Sequence, residues 1–139
     1  MGNPLRRDDF IGVEVVRGLR NKVSERVRLI ECETVPENFI DPVIEFKPTH
    51  VLVIDAALMN LPPGSVRLVE PEEIKGIAVS THALPLSIFC DYIAKETSAK
   101  VALLAVQPRE TVFGEGLTET LRSAAKNLKN LLMNLLSSI

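Results

Sequence analysis

Three places in the chain combine residue types able to do chemistry: the adjacent acids Asp8 and Asp9, Asp55 at the end of the apolar run VLVID, and His82 within STHALPLS. Two carboxylates and an imidazole form an oxygen, oxygen, nitrogen donor set with coordination positions left open, which suits a divalent metal ion. Each residue also has a plainer reading. Adjacent acids at a helix entrance cap the helix and complement its dipole, worth about 1 kcal/mol. An aspartate at a strand end caps the following loop. A lone histidine is more often structural, and Ser80 and Thr81 can cap the same turn. The choice between these readings turns on where the secondary structure delivers Asp9, Asp55 and His82.

Other constellations are weaker. Cys32 with His82 would make a thiol and a base, but Glu31 and Glu33 oppose a thiolate there. Cys90 falls on an apolar helical stripe and is expected in the core. Ser87 has no Gly-x-Ser-x-Gly turn around it. GNPLRRDDFIG is neither a dinucleotide-binding glycine motif nor a P-loop. His50 begins a strand and is expected on the surface, at the far end of the sheet.

The elements that must position these residues alternate along the chain. Gly2-Asn3-Pro4 reads as a turn, and Asp9 as the N-cap of a helix over 10–23. VRLIECE (27–33) reads as a strand, and 35–48 as a helix opened near Pro36. HVLVIDA (50–56) is continuously apolar, the pattern of a strand buried on both faces. After the Pro-Gly turn in LPPGSVRLVEP, Val66 and Leu68 alternate as on an edge strand. Leu86, Phe89, Cys90 and Ile93 stand at i, i+3, i+4 and i+7 in a helix over 84–97. KVALLAV (100–106) is a second buried strand. A last helix carries Leu121, Leu128, Leu132 and Leu135 on one stripe.

This order predicts one α/β domain over residues 1–139, a three-layer sandwich of a mostly parallel, twisted sheet of about five strands flanked by helices. Ligands bind such sheets beyond the carboxyl ends of the strands, directing attention to the residues after 33, 55, 79 and 106. With 16 basic and 18 acidic residues and 4% aromatics, neither a basic patch nor a stacking platform for nucleic acid is expected. The longest apolar runs are strand-sized, so no membrane insertion is expected. No apolar stretch follows the N-terminal charges as in a signal peptide. Two separated cysteines read as free thiols in a reducing cytoplasm.

Taken in order, GNPLRRDD, VPEN, VLVIDA, the Pro-Gly edge segment, STHALPLS and VQP resemble the nickel-iron hydrogenase maturation endopeptidases, closest to the type serving formate-linked, energy-converting hydrogenases. The resemblance runs from Gly2 to about Pro108. It implies a five-stranded α/β sandwich that removes a C-terminal peptide from the hydrogenase large-subunit precursor once nickel is in place. It places the catalytic and metal-contacting roles on Asp9, Asp55 and His82. The nickel is carried by the substrate, no organic cofactor is implied, and other divalent metals can occupy the same site. A monomer is favoured.

This chain departs from the family pattern at three points. Relatives have a strand running directly into the Gly-Asn turn, so the first strand is either truncated here or encoded upstream of Met1. ECETVPEN stands where a Gly-rich stretch is usual, and Phe10 where a small residue is common. Two other classes of function remain open: a non-catalytic precursor-binding chaperone and a small-molecule α/β hydrolase.

Overall fold

HVLVIDAAL, apolar on both faces of an extended chain, forms strand β1 (His50–Leu58) in the computed structural model, which describes residues 1–79 and 85–139. It lies inside a four-stranded sheet with β2 (Val66–Val69), β3 (Ala78–Val79) and β4 (Lys100–Val106), in the order β2-β4-β1-β3. β1 and β4 run parallel in continuous register from His50 opposite Lys100 to Ala56 opposite Val106.

Five helices complete the described elements: α1 (Ile11–Gly18), α2 (Ile40–Phe46), α3 (Pro71–Ile74), α4 (Leu86–Thr97) and α5 (Glu119–Leu136). Alternation along β1 sends Val53 and Ala57 to one face, where they meet Leu86, Phe89, Cys90 and Ile93 of α4. Ile54 and Ala56 go to the other face, against Ile11 and Val15 of α1 and Leu121, Ala125, Leu128 and Leu132 of α5. The expected helix–sheet–helix layering is therefore present. Truncating a fully buried side chain such as Ile93 or Leu121 to Ala would cost about 2–5 kcal/mol.

Several expectations are corrected. Among the described residues there are four strands rather than about five, and only the β1–β4 pair is parallel; β2 and β3 are antiparallel to their neighbours. The link from β1 to β2 has no helix to carry the chain back along the sheet, so β2 must return in the opposite sense. Residues 27–32 form no strand and join no ladder, and Glu33 stands in a turn at a φ of 50°. Ile30 and Cys32 pack in the core beneath the sheet, and backbone bonds at the chain start tie the segment further. The Gly2 N–H donates to Glu33 O at 2.9 Å, and the Met1 amino group donates to Ile54 O at 2.8 Å.

Helix 10–23 is shorter than expected. It stops at Gly18, and the chain turns through Asn21 at a φ of 62°. The 35–48 helix divides into a 3-10 turn (Pro36–Phe39) and α2. On α5 the stripe holds at Leu121, Leu128 and Leu132, but Leu135 is exposed and Leu136 packs toward that core in its place. β2 is the edge strand expected, and His50 is exposed at the start of β1.

Candidate functional site

Asp55 follows four apolar residues in β1 and is fully buried near the carboxyl end of the parallel pair. It shares a face with Val53 and Ala57 and so points toward the α4 layer. Its Oδ1 accepts the Ala56 N–H at 2.9 Å. β1 runs on to Leu58, so Asp55 lies within the strand and not at its end as expected.

Asp8 and Asp9 sit in a 3-10 turn (Arg7–Phe10) that enters α1, and both are fully buried. Neither caps α1, contrary to expectation; Phe10 holds the N-cap position with no side-chain bond. The turn is short because the chain is pinned on both sides. Asp9 Oδ2 accepts the Asn3 N–H at 2.9 Å, folding the Gly2-Asn3-Pro4 turn back over the acid. Gly12 then lies so close to β1 that a Cβ would run into the Ile54 carbonyl and the Met1 backbone. That contact seats the start of α1, and Asp9 with it, directly on the strand that carries Asp55.

Asp8 turns the other way. Its carboxylate accepts the N–H groups of Arg109 (2.9 Å), Glu110 (3.0 Å) and Thr118 (2.7 Å), together with the Thr118 hydroxyl. It thus ties both ends of the 109–118 segment that joins β4 to α5. Gln107, just past β4, does similar work. Its Oε1 accepts the Met59 N–H at 2.7 Å, and its backbone pairs with Gly64 and Ser65. The sequence singled out the acid pair but not this division of labour; the Asp-Asp doublet and the Gln of VQP were the available signals.

Asp9 and Asp55 both act on the Met1 amino group. The buried Met1 amino group has its pKa lowered, chiefly by desolvation, while Asp55, Cys32 and Asp9 pull it back up. Carboxylate oxygens of this kind are the donors that suit a divalent metal. Among the described residues there is no group of three or more metal-binding side chains. His82, the third member expected, lies outside the described residues, as do Ser80 and Thr81. The last described residue of β3, Val79, pairs with Ala57, two positions beyond Asp55.

The thiols take no part. Burial pushes Cys32 up, the field of Asp55 adds to this and the Met1 amino group offsets it, so thiolate is scarce at neutral pH. Cys90 is buried in the core as expected, its thiol pushed up to about 12 by desolvation and then Asp91.

Comparison with known proteins gives a consistent result. Residues 13–135 match the family described as hydrogenase maturation protease. A relative from Methanocaldococcus jannaschii, itself assigned as a hydrogenase maturation protease, is 35% identical over all of this chain and 86% of its own length. The crystal structure of a NiFe hydrogenase maturation protease HycI from Thermococcus kodakarensis superposes with a TM-score of 0.88 at 32% identity, covering 96% of this chain and 86% of that one. The solution structure of the endopeptidase HycI from Escherichia coli gives 0.85 at 27% identity, covering 96% and 85%.

Proposed function

Because the chain belongs to the hydrogenase maturation protease family and is an endopeptidase of that kind, we propose that it trims the C-terminal extension from a nickel-loaded hydrogenase large-subunit precursor in the cytoplasm, meeting the substrate's nickel with Asp9, Asp55 and His82. The observation that carries this reading is the full burial of two carboxylates, Asp9 and Asp55, with the chain start and the entrance of α1 packed onto the strand that carries Asp55. Carboxylates and imidazole are poorer ligands than thiolates for a soft metal centre. They can contact a filled centre in the precursor without stripping it, so the protein reads the nickel as part of its substrate.

The cysteines and Ser87 offer no activated nucleophile. Both cysteines hold their protons too tightly to serve as nucleophiles, and Ser87 lies within α4 without a nucleophile turn.

The test is the mass of purified precursor before and after incubation, with and without nickel. The wild-type chain is expected to release the extension only from the nickel-loaded form. Asp9→Asn, Asp55→Asn and His82→Ala are each expected to lower the rate at least 100-fold while leaving the fold intact by circular dichroism. Unchanged trimming in any one variant removes that residue from the assignment.

A further inference from the structure

The 109–118 segment is tied down yet holds its largest apolar side chains out to solvent. Asp8 binds it at Arg109, Glu110 and Thr118. Its middle is fixed from the other side: the Gly114 N–H donates to Leu5 O at 2.8 Å, and the Arg7 N–H donates to Gly114 O at 3.1 Å. Between these anchors Val112 is 61% exposed and Phe113 is 83% exposed. Leu5, beside Gly114, is 47% exposed. A loop free to move would fold a phenylalanine against the body of the protein; here the backbone bonds hold it outward. Preordering an exposed aromatic removes the entropy cost of fixing it on contact, which characterises anchor residues of interfaces.

This patch is continuous with the site. Ala56, Ala57 and Leu58, the residues directly after Asp55, line a shallow cleft with Pro108 and Thr111. Leu58 is itself exposed, and Thr111, which lines the cleft with it, is followed directly in the chain by Val112 and Phe113. The cleft, at about 20 Å³, is too small for a small-molecule ligand. Projecting side chains around such a cleft suit a concave surface on another polypeptide.

We propose that Leu5, Leu58, Val112 and Phe113 form the docking surface for the body of the large-subunit precursor, with Phe113 as the anchor. This rests on the functional reading above: a precursor whose metal centre reaches Asp9 and Asp55 must lie against the rim that Asp8 holds in place. Docking on this surface sets how tightly the precursor binds, while the carboxylates act on its metal centre.

The experiment measures KM and kcat with purified nickel-loaded precursor, alongside direct binding by titration, for wild type, Phe113→Ser and Val112→Ser/Phe113→Ser. Leu131→Ser, at an exposed apolar position well along α5, serves as the control. Phe113→Ser is expected to raise KM and Kd at least tenfold with kcat and Tm unchanged, the double variant to raise them further, and Leu131→Ser to change neither. Equal KM and Kd in wild type and Phe113→Ser overturn the docking surface and leave the trimming activity standing. If the wild type binds precursor through Phe113 without trimming it, docking holds and the protease reading falls; if it neither binds nor trims, both fall. A concentration-dependent dimer in sedimentation that Phe113→Ser abolishes, with precursor KM unchanged, assigns the patch to self-association and overturns the proposal.

Discussion

The two flanks of the carboxylate end are held by opposite means. On the α5 side, residues 107–118 are fixed by polar bonds to buried acceptors, four of them to Asp8 alone. On the other side, residues 27–39 join no sheet ladder and are held by apolar packing. Ile30, Cys32 and Phe39 lie in the same cluster as Phe89, Cys90 and Ile93 of α4. At its surface Glu31 pairs with Arg17 and Arg20. Polar anchoring fixes direction, because hydrogen bonds constrain angle as well as distance. Apolar packing fixes proximity without direction. The first holds 107–118 in one geometry, and the second closes the layer at 27–39.

Removing the polar anchor should have the largest effect. Asp8→Ala leaves the Arg109, Glu110 and Thr118 N–H groups without their acceptor, at a cost of about 3 kcal/mol or more. The expected outcome is a marked drop in the urea midpoint, with rapid hydrogen exchange confined first to 107–118. An unchanged midpoint with lost activity would instead place Asp8 in the chemistry and dissolve the contrast between the flanks.

Charging the α4 core on which the apolar flank packs should have the next largest effect. The Cys90 thiol ionises near 9.0 in the unfolded chain but only at about 12 when folded. The folded chain therefore keeps its proton longer, and this stability is complete below pH 9. Between pH 9 and about 12 it is lost at roughly 1.4 kcal/mol per unit. Urea melts of wild type and Cys90→Ala across this range should show the extra slope only in wild type. Parallel slopes would mean that the α4 layer admits water.

The smallest effect falls on the surface pair. Glu31→Gln removes an ion pair whose arginines are about half exposed, and should cost no more than about 1 kcal/mol, less at high salt. A loss rivalling that of Asp8→Ala would show that the 27–39 flank is also held by polar anchoring.

How much was legible in the sequence follows the same division. Strands 50–56 and 100–106 and helix 84–97 were readable because each buries a periodic apolar face, and burial is what periodicity encodes. Residues 27–33 carry a strand pattern but form none, because pairing needs a partner at the right place, which local pattern does not specify. Asp55 was readable from its place at the end of an apolar run. The separate tasks of Asp8 and Asp9 were not, since both are buried acids one residue apart, and their partners lie at Asn3 and more than 100 residues away at Thr118.

That last separation bears on the life of the chain before it is finished. The bonds from Thr118 to Asp8 close a loop of 110 residues, a contact that forms late because its closure entropy is met only when most of the chain is already ordered. During synthesis the first 100 residues can emerge with Asp9 and Asp55 present but with the rim unbuilt. The 109–118 segment is therefore fixed only once α5 begins to form, and a chain ending before Thr118 would leave Asp8 without the bonds that close it.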